Sequence, residues 1–161
     1  MTLSLKNPAP VFSGATDGNG TIALESLRGK NVVLFFYPKD NTSGCTVESC
    51  GFRDALPDFT ACNTVIVGVS KDSVKSHDKF KKDHDLNFPL LSDGEGLACD
   101  AYGVIKEKSM YGKKYLGIER STFLVDANGI LQQIWQPVTI AGHVAAVLQA
   151  AQALHNSAQA A

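Results

Sequence analysis

The sequence predicts one α/β domain: a mixed central β-sheet flanked by helices, with a β-hairpin at its N-terminal end. Three observations lead there. The runs Asn31–Tyr37 and Val65–Ser70 are continuously apolar and rich in β-branched and aromatic residues, which suits strands buried on both faces. Helix-like stretches follow each run, and strand–helix alternation implies parallel pairing. A third run, Ser121–Val125, leads through Asp126-Ala127-Asn128-Gly129 into Ile130–Gln136. Asn-Gly between two strand-like runs marks a hairpin, and hence an antiparallel edge.

The elements follow in order. Asn7–Gly20 carries Pro8, Pro10, Gly14, Gly18 and Gly20 and reads as turns around short strands, with Thr21–Leu24 pairing back on Val11–Ser13. After the Asn31–Tyr37 strand a helix is expected over Thr42–Leu56, with Pro57 kinking or restarting it. After Val65–Ser70 a second helix spans Asp72–His84, with Val74, His77, Phe80 and Lys81 on one face. A short strand at Pro89–Leu91 precedes a short helix at Glu95–Tyr102. The Ala-rich segment Ala141–Leu154 closes the fold. The domain is expected to span residues 1–155, and the small polar end, residues 156–161, to be a disordered tail.

Composition excludes several classes. The chain has 161 residues, 44% hydrophobic and 19% charged, which is globular. A domain of this size buries roughly 70% of its unfolded surface and needs no disulfide or metal to fold. The formal charge is −1, spread evenly over both halves, which argues against nucleic-acid binding. No apolar run approaches the roughly 20 residues of a membrane span. Met1–Pro10 lacks a basic patch followed by an apolar stretch, so no signal peptide is expected and the chain reads as cytoplasmic. Four cysteines, Cys45, Cys50, Cys62 and Cys99, then need explanation in a reducing compartment.

The chemistry concentrates in Tyr37–Cys50, where a buried strand ends and a helix begins. In α/β sheets that carboxyl edge is where ligands sit. Thr42 or Ser43 caps the helix and puts Cys45 in its first turn. Unpaired N–H groups and the helix dipole there favour a thiolate. A cysteine so placed is a nucleophile or redox centre, whereas an arbitrary cysteine is more often a small buried residue.

Pro38-x-x-x-Thr42-x-x-Cys45 resembles the active-site pattern of the peroxiredoxins, and Cys50 resembles the second cysteine of the bacterioferritin comigratory protein, or peroxiredoxin Q, subfamily. The resemblance continues through Phe52-Arg53-Asp54, the strand end Val67-Gly68-Val69-Ser70, Pro89-Leu90-Leu91-Ser92-Asp93 and Arg120-Ser121-Thr122-Phe123-Leu124-Val125-Asp126. It implies a thioredoxin-like fold and a thiol-dependent peroxidase acting on hydrogen peroxide and alkyl hydroperoxides in antioxidant defence. It implies no cofactor and no metal. Cys45 supplies the attacking sulfur, and Thr42 Oγ1 bonds sulfur and a peroxide oxygen. Pro38 walls the pocket, and the Gly44 and Cys45 N–H groups donate. Arg120 reaches the thiolate, although taken alone it would pair with Glu119. Cys50 resolves the Cys45 sulfenic acid as an intramolecular disulfide, and thioredoxin or glutaredoxin recycles it. The protein is expected to be a monomer or weak homodimer. Cys62 and Cys99 are expected to pack, with either as a lesser alternative resolver.

Helix geometry adds a constraint. Five residues along an α-helix put the Cα atoms roughly 8.5–9 Å apart, and a disulfide needs less than about 7 Å. A Cys45–Cys50 bond therefore requires the helix to open, which Gly44 and Gly51 would ease. Three rival readings remain. A metal site needs closely paired ligands, and the cysteines lie at least five residues apart with four isolated histidines. A disulfide reductase needs Cys-x-x-Cys, and Thr42 stands in the first position. A redox sensor or holdase differs from a peroxidase in consuming one equivalent of peroxide rather than many. The basic stretch Lys106–Arg120 reads as a solvated hairpin or as a surface for a reductant protein.

Overall fold

The computed structural model describes residues 3–160. The strands are β1 (Ser13–Ala15), β2 (Thr21–Ala23), β3 (Asn31–Phe36), β4 (Thr64–Ser70), β5 (Leu90–Ser92), β6 (Ile105–Met110), β7 (Lys113–Ile118), β8 (Ser121–Val125) and β9 (Leu131–Trp135). The helices are α1 (Ser43–Ala61), α2 (Val74–His84), α3 (Leu97–Ala101) and α4 (His143–Ala160). Five strands form the central sheet in the order β5-β4-β3-β8-β9. β3, β4 and β5 pair in parallel, while β8 pairs antiparallel to both β3 and β9. This is the mixed sheet with an antiparallel edge that the sequence predicts, and it has the thioredoxin-like arrangement.

β3 and β8 are buried along their whole length, and alternate residues serve opposite faces. Val32, Leu34, Phe36, Val67 and Phe123 face the N-terminal arm and α3, where Phe12, Cys99, Tyr102 and Val104 complete a core. Val33, Phe35, Ile66 and Leu124 face α1, α2 and α4, packing on Phe52, Phe59, Phe80 and Val147. Phe35 stacks on Phe52 with ring centroids 4.8 Å apart, which ties α1 to the sheet. Among the described residues no helix is long and apolar enough to cross a membrane.

Several boundaries differ from expectation. The first hairpin pairs Ser13 with Ala23, two residues later in its first strand than expected. α1 does not restart at Pro57; it runs through it to Ala61. Pro57 has no N–H to give the carbonyl of Arg53, and Asn87 Nδ2 donates to that carbonyl instead, at 3.2 Å. A tertiary bond thus replaces the lost helical one. β6 and β7 form a two-stranded ribbon outside the central sheet, where the sequence reading offered only a hairpin without strand limits. The expected tail is helical: α4 continues past Asn156 to Ala160. Ala and Gln favour the helix, and no Gly or Pro stops it. Ala161 lies outside the described residues.

Candidate active site

The site is built where β3 ends at the carboxyl edge of the sheet. Tyr37 leaves the strand still hydrogen-bonded through its N–H to Val69 O, at 3.0 Å. Pro38 follows, half-buried. Thr42 is the residue before α1 and has extended backbone angles. Its hydroxyl does not cap the helix. It donates back to Lys39 O at 2.8 Å and so closes the loop on itself. The Thr42 oxygen keeps its lone pairs for an incoming donor.

Cys45 lies in the first turn of α1 and is fully buried. Arg120, just after β7 and before β8, donates from Nη2 to Cys45 Sγ at 3.3 Å. Its other terminal nitrogen, Nη1, donates to Glu48 Oε1 at 2.9 Å. Arg120 does not pair with Glu119; it bridges two residues of one helix turn. Both acceptors raise its pKa, while partial burial opposes them. Gly44 makes this approach possible. A Cβ there would lie 3.2 Å from Arg120 Nη2 and 3.2 Å from Ile140 Cδ1.

Sequence reasoning missed Glu48. It lies three residues after Cys45, on the same helix face, and that spacing was the available signal. Its side chain is buried, and burial outweighs the pull of Arg120, raising its pKa from the ordinary 4.5 to about 7. Glu48 Oε2 has no hydrogen-bond partner among the described residues. It lies 3.9 Å from His143 Nε2, at the start of α4. That same nitrogen is 2.8 Å from Thr122 Oγ1. Burial first, and then Arg120, lower the His143 pKa from 6.5 to about 4, so the ring is neutral at pH 7.

A second polar cluster holds the loop from below. Asp40 Oδ1 accepts from the Tyr37 hydroxyl at 2.7 Å, and Asp40 Oδ2 accepts from Ser76 Oγ at 2.8 Å. His77 Nδ1 is 2.8 Å from Asp40 Oδ2, and its Nε2 is 3.0 Å from Leu91 O. Both ring nitrogens of His77 thus face oxygen atoms, one on the loop and one on β5. Asp72 Oδ2 accepts from Asp40 N at 2.8 Å and from Ser70 Oγ at 2.6 Å. Asp40, Asp72 and His77 lie close enough to suggest a cation site. Protons of the chain itself, however, already reach these oxygens.

The remaining cysteines separate cleanly. Cys50 lies five residues along α1, half-buried, with Arg53 Nη1 3.5 Å from its sulfur. All four cysteines are free thiols, and α1 is unbroken between Cys45 and Cys50. Cys62 is buried at the end of α1 and contacts Phe59 O at 3.3 Å. Cys99 is buried on the opposite face of the sheet, where burial first, and then Asp93, raise its thiol pKa. The arrangement thus offers one buried sulfur facing a guanidinium at a helix N-terminus, and one half-buried sulfur further along the same helix.

The AhpC/TSA family model matches residues 5–134. A putative peroxiredoxin bcp of Coxiella burnetii is 47% identical over 148 residues, covering 92% of this chain and 98% of that protein. The peroxiredoxin Bcp of Bacillus subtilis is 46% identical over 149 residues, covering 92% and 95%. The solved structure of the Xanthomonas campestris bacterioferritin comigratory protein, studied for its alkyl peroxide reduction activity, superimposes with a TM-score of 0.88 at 46% identity. It covers 94% of this chain and 98% of that one.

Proposed function

The chain belongs to the AhpC/TSA family and, within it, to the bacterioferritin comigratory protein or peroxiredoxin Q group of thiol-dependent peroxidases, and on that premise we propose the roles of its residues. The Cys45 thiolate attacks the terminal oxygen of a hydroperoxide. The S–O bond forms as the O–O bond breaks. Cys45 becomes a sulfenic acid, and the departing alkoxide or hydroxide takes up a proton to leave as alcohol or water. Arg120 stabilises the charge on sulfur before the attack and on the departing oxygen during it. The N–H groups of Gly44 and Cys45 and the Thr42 oxygen position the peroxide, and Pro38 shields the sulfur from bulk water.

Cys50 then attacks the sulfenic sulfur. An S–S bond forms and water leaves. The first turns of α1 unwind to allow it, because the intact helix holds the two Cα atoms roughly 8.5–9 Å apart. Thioredoxin or glutaredoxin returns two electrons and restores both thiols. The protein works in the cytoplasm as a monomer or weak homodimer. Hydrogen peroxide and alkyl hydroperoxides are both substrates of this chemistry, since only the O–O bond reacts.

The observation that carries the reading is the 3.3 Å contact of Arg120 Nη2 with Cys45 Sγ at the start of α1. Rapid-mixing kinetics with a thiol reductant test it. Cys45→Ser is expected to abolish turnover. Cys50→Ser is expected to complete one rapid peroxide reduction and then stall. Sustained turnover by Cys45→Ser is incompatible with the proposal.

A further inference from the structure

The ribbon of β6 and β7 stands outside the central sheet, and the peroxide chemistry makes no use of it. Its register opposes Lys106 to Gly117, Lys108 to Tyr115 and Met110 to Lys113, so these six share one face. Gly117 leaves room for its neighbours: a Cβ there would come within 3.1 Å of Lys108 Cδ and 3.2 Å of Tyr115 Cε2. At the tip, Met110, Tyr111, Lys113, Lys114 and Tyr115 line a groove of ≈ 460 Å³. Tyr111 is 98% exposed and Met110 is 56% exposed. Lys114 pairs with Glu107 at 3.5 Å. Among the described residues, neither Lys106 nor Lys113 has a carboxylate partner. Exposed aromatic and thioether surface edged by unpaired lysines suits an apolar surface edged by acids.

Two features identify the occupant. An isologous contact between two such faces would set lysines against lysines, which disfavours a second copy. The ribbon is also joined directly to the reacting site. β7 ends at Ile118, and Arg120, two residues on, touches Cys45 Sγ. A six-residue strand is about 20 Å long, and a protein interface of ~800 Å² per partner is about 30 Å across. One docked protein therefore reaches from the ribbon to the start of α1, where Val47, 62% exposed, lies between the two working cysteines. We propose that the face of the β6–β7 ribbon carrying Lys106, Lys113 and Tyr115 docks the acidic surface of the protein dithiol that reduces the Cys45–Cys50 disulfide. The assignment rests on the disulfide cycle proposed above.

The test compares wild type with K106E/K113E, using thioredoxin as the protein dithiol and dithiothreitol as the small one. The double variant is expected to raise the KM for thioredoxin by about tenfold and to lose the salt dependence of the wild-type kcat/KM. Turnover driven by dithiothreitol is expected to be unchanged, which also shows that the ribbon substitutions leave the fold and the peroxide step intact. An unaltered KM and salt response for thioredoxin overturns the docking assignment alone. Failure of every protein dithiol to sustain wild-type turnover, with dithiothreitol active, overturns the reductant reading and the assignment together. A wild-type dimer dissolved by K106E/K113E in sedimentation would make this face a self-association surface. Selective loss of binding to phosphatidylserine vesicles would make it a membrane surface. Either result, with the thioredoxin KM unmoved, contradicts the proposal.

Discussion

Arg120 divides its guanidinium between a sulfur and a carboxylate, and the proposed peroxidase chemistry draws on that division. Lys cannot hold both acceptors in one rigid fork, so Arg120→Lys is expected to lower kcat/KM for peroxide by roughly 10²–10³-fold in stopped-flow measurements. Gly44→Ala places a methyl group against Arg120 and Ile140. It is expected to lower the same constant by roughly 10–100-fold through misplacement of the guanidinium. Glu48 gives a pH dependence with a definite sign. Its folded-state pKa, about 7, lies above its ordinary 4.5, so the fold favours its protonated form. That contribution is complete below pH 4.5 and is lost as the pH rises through 7. Glu48→Gln removes it. Relative to the variant, wild type is expected to lose about 2–3 kcal/mol of unfolding free energy between pH 5 and pH 8, measured by denaturant titration. At this scale Cys45 and Thr42 stood out because the short Pro38–Cys45 motif carries them, and Arg120 because it opens the Arg120–Asp126 stretch of the resemblance. Glu48 stood on the same helix face but carried no motif. His143 gave no local sign at all, since only the packing of α4 on α1 brings it to Glu48.

The proposed cycle requires α1 to be firm enough to hold Cys45 at a helix start, yet able to open between Cys45 and Cys50. Gly44 and Gly51 reduce its intrinsic stability, and the structure adds a second reason for each. Gly44 admits Arg120, and Gly51 admits α4. A Cβ at Gly51 would lie 2.9 Å from Val144 Cγ2. Gly51→Ala therefore sets an overpacking cost of about 1–3 kcal/mol against a helix gain of about 1 kcal/mol. A net loss of about 0–2 kcal/mol is expected in thermal unfolding. If the helix opens in each cycle, amides of residues 43–50 are expected to lose hydrogen-exchange protection in the oxidised form and regain it on reduction. The existence of α1 was legible from its position after β3. Its C-terminal end was not, because the Asn87 bond to the Arg53 carbonyl that carries it past Pro57 comes from a distant part of the chain.

Across the whole molecule, the loop that presents Cys45 is fixed on its opposite side by the buried Tyr37–Asp40–His77 cluster. His77 links this cluster to β5 through Leu91 O, so the strand ends at the carboxyl edge are held together by hydrogen bonds rather than by packing alone. Asp40→Asn replaces one of two buried accepting oxygens with a donor, which unpairs part of the set formed by the Tyr37 hydroxyl, Ser76 Oγ and His77 Nδ1, and is expected to cost about 1–3 kcal/mol, lowering the melting temperature by roughly 5 °C. The mixed sheet and its two covering layers were legible in the continuous apolar runs and the strand–helix alternation, whereas the strand order was not. The Asp40–His77 pairing was not, because 37 residues separate its partners. Nor was the helical end of α4, where polar composition suggested a tail but Ala and Gln still favour helix. The proposed cycle divides the four cysteines between two working thiols on α1 and two packed ones on opposite faces of the sheet. Peptide mass spectrometry after one equivalent of peroxide tests that division. Trypsin cleaves after Lys39 and Arg53, which leaves Cys45 and Cys50 in a single peptide. The expected result is that this peptide loses two hydrogens while Cys62 and Cys99 remain free thiols. Cys45 cross-linked to Cys62 or Cys99, or left reduced while peroxide is consumed, would contradict the account.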